Sequence, residues 1–137
     1  MKAGITSFQD VNVRGIPRVQ AYSNARDSLK IRGFISFTIE TMDAAKLSHD
    51  SLRITMDPWL SITGDKFLVD GQSPTAYTYE PHQGPLYDLP AWNPDSLKKV
   101  VKDLHRVGHL LCFHVMGDAA IDLALDAFED EFSETPR

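Results

Sequence analysis

Two side chains in this 137-residue sequence stand where their types and neighbours could support chemistry, Lys66 and His114. Lys66 opens the apolar run Lys66 to Val69, and period two puts it on one face with Leu68 and Asp70. Near the end of a buried parallel strand a lysine meets a semi-apolar setting that favours the neutral amine. Such an amine can act as a nucleophile or take up carbon dioxide as a metal-bridging carbamate. The plainer reading is a lysine that snorkels to solvent or pairs with Asp65 or Asp70. His114 follows the apolar run Leu110 to Phe113 and precedes Gly117-Asp118. Ligands of parallel α/β folds bind beyond the carboxyl ends of strands, where imidazoles ligate metals or carry protons. A hydrogen-bonded structural histidine is again the plainer alternative. Asp118 could orient His114, cap the next helix, or do both. Asp10, at the end of the first apolar run, either faces the same site or forms a turn.

Other combinations lack their partners. His105 and His109 are four apart, but Gly108 interrupts the helix between them and no Glu follows His105, so the zinc-protease pattern is absent. No GxGxxG, GxxxxGK[ST] or GxSxG occurs, which leaves dinucleotide, P-loop and serine-hydrolase readings without a motif. Cys112, between Leu111 and Phe113, reads as inert core.

The elements that must position Lys66 and His114 follow from periodicity and punctuation. Ile5 to Phe8 is a first strand. Gly15 and Pro17 open a helical stretch with Val19, Tyr22, Arg26 and Leu29 at three- and four-residue steps, ended by Gly33. Phe34 to Ile39 alternates and is β-branched or aromatic at most positions, as a strand requires. A short helix is expected over Asp43 to Leu47, a turn at Asp57-Pro58, and a strand over Lys66 to Val69. Gln72 to Trp92, rich in Pro, Gly and Tyr, reads as a long functional loop. Asn93-Pro94-Asp95 starts the clearest helix, with Leu97, Val100, Val101, Leu104 and Val107 on one face. Leu110 to Val115 is a buried strand, and a last helix from about Ala119 puts Ile121, Leu125, Phe128 and Phe132 on one face. The expected architecture is α/β, with about four parallel strands and intervening helices in a single domain spanning residues 1–137.

Composition limits the partners. There are 14 basic and 19 acidic residues, a net charge of −5 and no basic stripe, so neither nucleic acid nor an anionic membrane is the expected partner. No apolar run is long enough to span a bilayer, and MKAGITSFQD lacks the apolar core of a signal peptide. A single cysteine excludes an internal disulfide and points to a cytoplasmic setting. At this length a complete eight-fold β/α barrel, which needs about 200–250 residues, does not fit.

Three blocks carry a family resemblance. GITSFQD at residues 4–10 resembles the "GVTSVQD" strand of metal-dependent amidohydrolases, in the branch of N-substituted formamide deformylases and exoenzyme-like relatives. GDKFLVDG at 64–71, with Thr75-Ala76 and Glu80-Pro81, is similar to their "GVKLFADG…TA…EP" block. WNPDSLKKVVKDLHRVGHLLCFHVMGDAAIDLALDAFED at 92–130 resembles their helix, strand and "HAIGDRAVDLALDAFE" helix. The blocks extend from Gly4 to about Asp130.

The resemblance implies a TIM-like barrel with a mono- or binuclear centre of zinc or another divalent metal, in which metal-bound hydroxide attacks an amide-type carbon of a small molecule. It makes Lys66, as a carbamate, and His114 the metal ligands, with Asp10, Asp70 and Asp118 near substrate or behind the ligands. The chain would then cover about strands two to five, without the HxH pair, late His and late Asp of the family. Two ligands fall short of the three that a catalytic zinc usually needs, so a bound metal is expected of the complete family enzyme rather than of this chain alone, and little amidohydrolase activity is expected of it. The Gly71–Thr75 stretch is shorter than in relatives, and Ala119 stands where they commonly carry Arg. The alternative expectation is a non-catalytic remnant or interaction module, with copies associating through open sheet edges.

Overall fold

The computed structural model describes residues 4–52, 54–71, 75–80 and 89–134. Strands β1 (Ser7–Val13), β2 (Arg32–Ile39), β3 (Leu60–Leu68) and β4 (Leu110–His114) form one parallel sheet in the order β1-β2-β3-β4. Helices α1 (Ile16–Ala25), α2 (Met42–Ser51), α3 (Pro94–Arg106) and α4 (Asp118–Glu134) follow the strands in turn, with a 3-10 turn at Arg26–Ser28 after α1. This is the α/β alternation that the sequence pattern implies. Among the described residues no helix is long and apolar enough to cross a membrane.

Alternation along the strands divides the sheet into two unlike faces. Ile35, Phe37, Ile39, Phe67 and Val69 are buried against the helices, joined by Val19 of α1, Ala45 of α2, and Leu97, Val101 and Leu104 of α3. Behind β3 and β4 the rings interlock: Phe67 stacks on Phe113 at 5.0 Å, Phe113 meets Phe128 edge-on at 4.6 Å, and Trp92 meets Phe67 at 5.7 Å. The opposite face carries Ser36, Thr38, Lys66, Leu68, Cys112 and His114.

Local chemistry fixes the helix ends. The Thr41 hydroxyl accepts from Ala44 N at 3.1 Å and Asn93 Oδ1 from Ser96 N at 3.1 Å, each satisfying an otherwise unpaired donor of a first turn. The end of α3 is a Schellman motif, with Gly108 N donating to His105 O at 3.0 Å and His109 N to Leu104 O at 3.1 Å. That turn sends His105 and His109 apart. His105 lies against Phe132, with ring centroids 4.8 Å apart, whereas His109 is buried beside Asp65.

Several expectations need correction. The first strand is Ser7–Val13, so Asp10 lies inside it rather than at its end. Helix α1 stops at Ala25, before Leu29, and α2 extends to Ser51. Strand β3 begins at Leu60; its start, Leu-Ser-Ile-Thr-Gly, mixes hydroxyls and a glycine into a stretch that is nevertheless buried. Of the face expected for α4, Phe128 packs inward against Phe113, whereas Ile121, Leu125 and Phe132 are 43%, 58% and 38% exposed. The packed face of α4 is Ala120, Leu123, Ala124 and Ala127, whose small side chains let the helix approach closely. The loop expected over Gln72 to Trp92 falls largely on residues 72–74 and 81–88, outside the described ones.

A surface ion pair ties the 3-10 turn to the approach to β3. Arg26 Nη2 lies 2.6 Å from Asp57 Oδ2, while Asp57 Oδ1 accepts from Trp59 N at 2.8 Å and Leu60 N at 3.1 Å. The guanidinium first, and the Trp59 amide next, hold the Asp57 carboxyl at about 2, below its ordinary 3.8. A depressed carboxyl stabilises the fold fully above its unfolded value, so this contribution fades as pH falls from 3.8 through about 2. In Arg26→Ala the Asp57 titration midpoint, followed by NMR, should move up toward 3.8. An unmoved midpoint would show that the amides alone hold it.

Candidate functional site

The polar face of β3 and β4 is where Lys66 and His114 meet. In register Lys66 pairs with Cys112 and Leu68 with His114, so Lys66, Leu68, Cys112 and His114 all project from one face of two adjacent strands. From the strand spacing and rise, the Cα atoms of Lys66 and His114 stand roughly 8 Å apart. Both side chains are half-buried. The Phe67–Phe113 stack, immediately behind them on the other face, holds the two strands in this register.

Neither acid beside Lys66 in the sequence is spent on it. Asp65 points through the opposite face, fully buried, where Ser48 Oγ donates to Oδ1 and His109 Nδ1 contacts Oδ2. This cluster joins α2, β3 and the α3–β4 connection. The serine and the histidine both address the carboxylate rather than each other, so the trio is a buried brace and not a nucleophile with its base.

Asp70, also buried, is a clasp for backbone. Its Oδ2 accepts from Gly117 N at 2.8 Å and Tyr77 N at 3.0 Å, and its Oδ1 from Met116 N at 3.0 Å. One carboxylate thus ties the segment after β3 to the turn after β4, at the carboxyl ends of the strands that carry Lys66 and His114. Asp118 continues that work: its Oδ1 accepts from Ala119 N at 2.8 Å and Tyr79 N at 3.0 Å. Of the two roles open to Asp118, the structure displays the helix-start one; among the described residues the His114 ring has no hydrogen-bond partner. Asp10 is directed elsewhere, accepting from Tyr22 Oη of α1 at 2.7 Å and from Asn12 N at 2.9 Å. It is therefore apart from Lys66 and His114, on the helix-covered side.

Sequence reading missed three members of the polar face. Cys112 is not in the helix-packed core; it is half-buried beside Lys66, and burial pushes its thiol up, opposed by Lys66 and by a hydrogen bond from Ser36. Ser36 Oγ lies 3.3 Å from Thr63 Oγ1, and Thr38 Oγ1 donates weakly to Val11 O at 3.4 Å. The alternation that paired Lys66 with Leu68 also pairs Ser36 with Thr38 and Cys112 with His114, so the signal was present.

A concavity of about 390 Å³ lies between α2 and α3 and is lined by Lys46, His49, Lys99 and Asp103 among others. It opens on the outer, helical side, away from Lys66 and His114. Among the described residues no cluster of three or more His, Cys, Asp or Glu is placed to hold a metal ion. Lys66 and His114 present two polar side chains on one face, and a catalytic zinc usually takes three protein ligands.

No protein-family model matches the chain, and no curated protein sequence matches it. Among solved structures, it is similar to an uncharacterized metal-dependent hydrolase from Pyrococcus furiosus, with a TM-score of 0.76 and 29% identity over 93% of this chain. A second, an uncharacterized metal-dependent hydrolase from Pyrococcus horikoshii OT3, has a TM-score of 0.69 and 26% identity over 90% of this chain. The chain spans 28% and 26% of those two chains' lengths. Its four-stranded parallel sheet fits part of a barrel.

Proposed function

We propose that this chain forms the β3–β4 wall of a metal-dependent hydrolase site, of the amidohydrolase kind that cleaves non-peptide C–N bonds in small amide-type substrates. The observation that carries the reading is the placement of Lys66 and His114 on one face at the carboxyl ends of neighbouring parallel strands. Similarity to metal-dependent hydrolases at 26–29% identity supports the hydrolase class. In such enzymes the metal supplies an activated water. What these residues contribute is positioning: the phenylalanine stack fixes the strand register, and Asp70 fixes the turn that follows His114. With two donors, the described residues do not fit a whole metal centre, so the chain alone is expected to be inactive.

The reading predicts weak metal binding at a defined place. In a zinc titration followed by NMR, shifts should concentrate at Lys66, Cys112 and His114, with affinity no tighter than roughly micromolar. His114→Ala should abolish them. Stoichiometric tight zinc would overturn the incomplete-site reading, and shifts centred elsewhere would remove Lys66 and His114 from it. The second reading, a non-catalytic module, is favoured by the exposed apolar stripe of α4.

A further inference from the structure

The two edges of the sheet differ in charge. Around the β1 edge, between Gly4 and Ile39, the charged residues are Arg14, Arg18, Arg26, Lys30 and Arg32 against Asp10 and Asp27 alone. Arg14 is paired with Glu40, and Arg26 with Asp27 and Asp57, whereas Arg18, Lys30 and Arg32 are exposed without an ion pair among the described residues. Around the β4 edge, α4 contains no Lys or Arg between Asp118 and Glu134. Its exposed acids Asp122, which also accepts from Tyr79 Oη at 2.7 Å, and Glu129 border the exposed side chains of Ile121 and Leu125.

The complementary charges also fall at matching heights. Helices in this sheet run back against their strands, so α1 and α4 both start at the carboxyl ends of the strands. Arg18 is in the first turn of α1, four residues before Tyr22, whose hydroxyl reaches Asp10 of the edge strand. Asp122 is near the start of α4. Lys30 and Arg32 lead into β2 at the opposite end, level with the last turns of α4 and Glu129.

We propose that two copies of this chain associate edge to edge, β4 of each pairing in parallel with β1 of the other and the acidic, apolar flank of α4 seating against the basic flank of α1. Two such contacts, related by a two-fold axis, close the assembly, because four strands from each copy give the eight of a closed parallel barrel. Closure pairs both edges that the described strands leave open. It covers Leu125 and Ile121 and sets positive charge against negative, which fixes the pairing as β4 to β1 rather than β4 to β4. The proposal does not depend on the hydrolase reading, since no metal enters it.

Sedimentation of the chain across concentrations should give a dimer of twice 15.4 kDa, weakened by added salt. The doubly substituted variants Asp122→Lys/Glu129→Lys and Arg18→Glu/Lys30→Glu should each raise the dimer dissociation constant at least about tenfold. Mixed in equal amounts they should recover a heterodimer, because one contact is then native and the other has both signs exchanged. Recovery also demonstrates that both variants fold. A monomer at every concentration, an open-ended ladder of assemblies, or a mixture that stays monomeric overturns the proposal. So does preferential pairing of Asp122→Lys/Glu129→Lys with wild type, which would indicate an α4-to-α4 contact.

Discussion

Replacing Asp70 by alanine should cost on the order of 4 kcal/mol, because three backbone donors lose a charged acceptor in a buried setting. Gly117 N, Met116 N and Tyr77 N all converge on this carboxylate, and the side chain is 3% exposed, so solvent cannot take its place. The loss should be local as well as global. Hydrogen exchange at the Met116, Gly117 and Tyr77 amides should accelerate beyond what global destabilisation accounts for. Asp70→Asn should be milder, since its one oxygen can still serve Gly117 and Tyr77 while its amide nitrogen opposes Met116 N–H. Chemical denaturation that finds Asp70→Ala within about 0.5 kcal/mol of wild type would show that the clasp is dispensable.

Gly64→Ala should be comparably severe, for a steric reason. Gly64 has φ +146°, a conformation that residues with a Cβ rarely adopt, and an added Cβ would lie 2.1 Å from Leu110 O and 2.6 Å from Leu110 N. The contact is with backbone, so no side chain can swing aside. Gly64 is also where β3 resumes its register with β2 after the irregularity between Ile35 and Ser36, and where its pairing with β4 begins. A cost on the order of 4 kcal/mol is expected, with β4 displaced and the alignment of His114 with Lys66 lost. The readout is a lowered denaturation midpoint together with loss of exchange protection along Leu110–His114. A variant whose β4 amides remain protected as in wild type would refute this account of the close approach.

The parts of this molecule legible in the sequence were those governed by local rules. Period two put Lys66 with Leu68, and the apolar run Leu110 to Phe113 placed His114 at a strand end; Asn93-Pro94-Asp95 marked a helix start that the structure reproduces. What escaped was set by partners distant in the chain. Asp65 adjoins Lys66 in the sequence, which offered that lysine as its partner; its burial is instead stabilised by Ser48 and His109, which only the fold brings together. The resemblance put Asp70 near substrate or behind the ligands; that its lone pairs accept from amides of two other segments is set by contacts distant in the chain. In α4 the bulky side chains gave the stronger hydrophobic signal, while alanines, with little apolar area, form the packed face because they permit closer contact. Hydrophobicity reports transfer from water, and close approach depends on size.

The strand order β1-β2-β3-β4, in which every neighbour is the next strand along the chain, bears on how the molecule is made. Each pairing closes only one intervening βα segment, so no distant search is needed and the contacts stay comparatively local for a parallel sheet. Assembly can proceed in the direction of synthesis, each new strand docking on the one before it as the chain leaves the ribosome. Of the four described strands the one bearing His114 is then the last to dock, and the face shared by Lys66 and His114 forms only once it has done so.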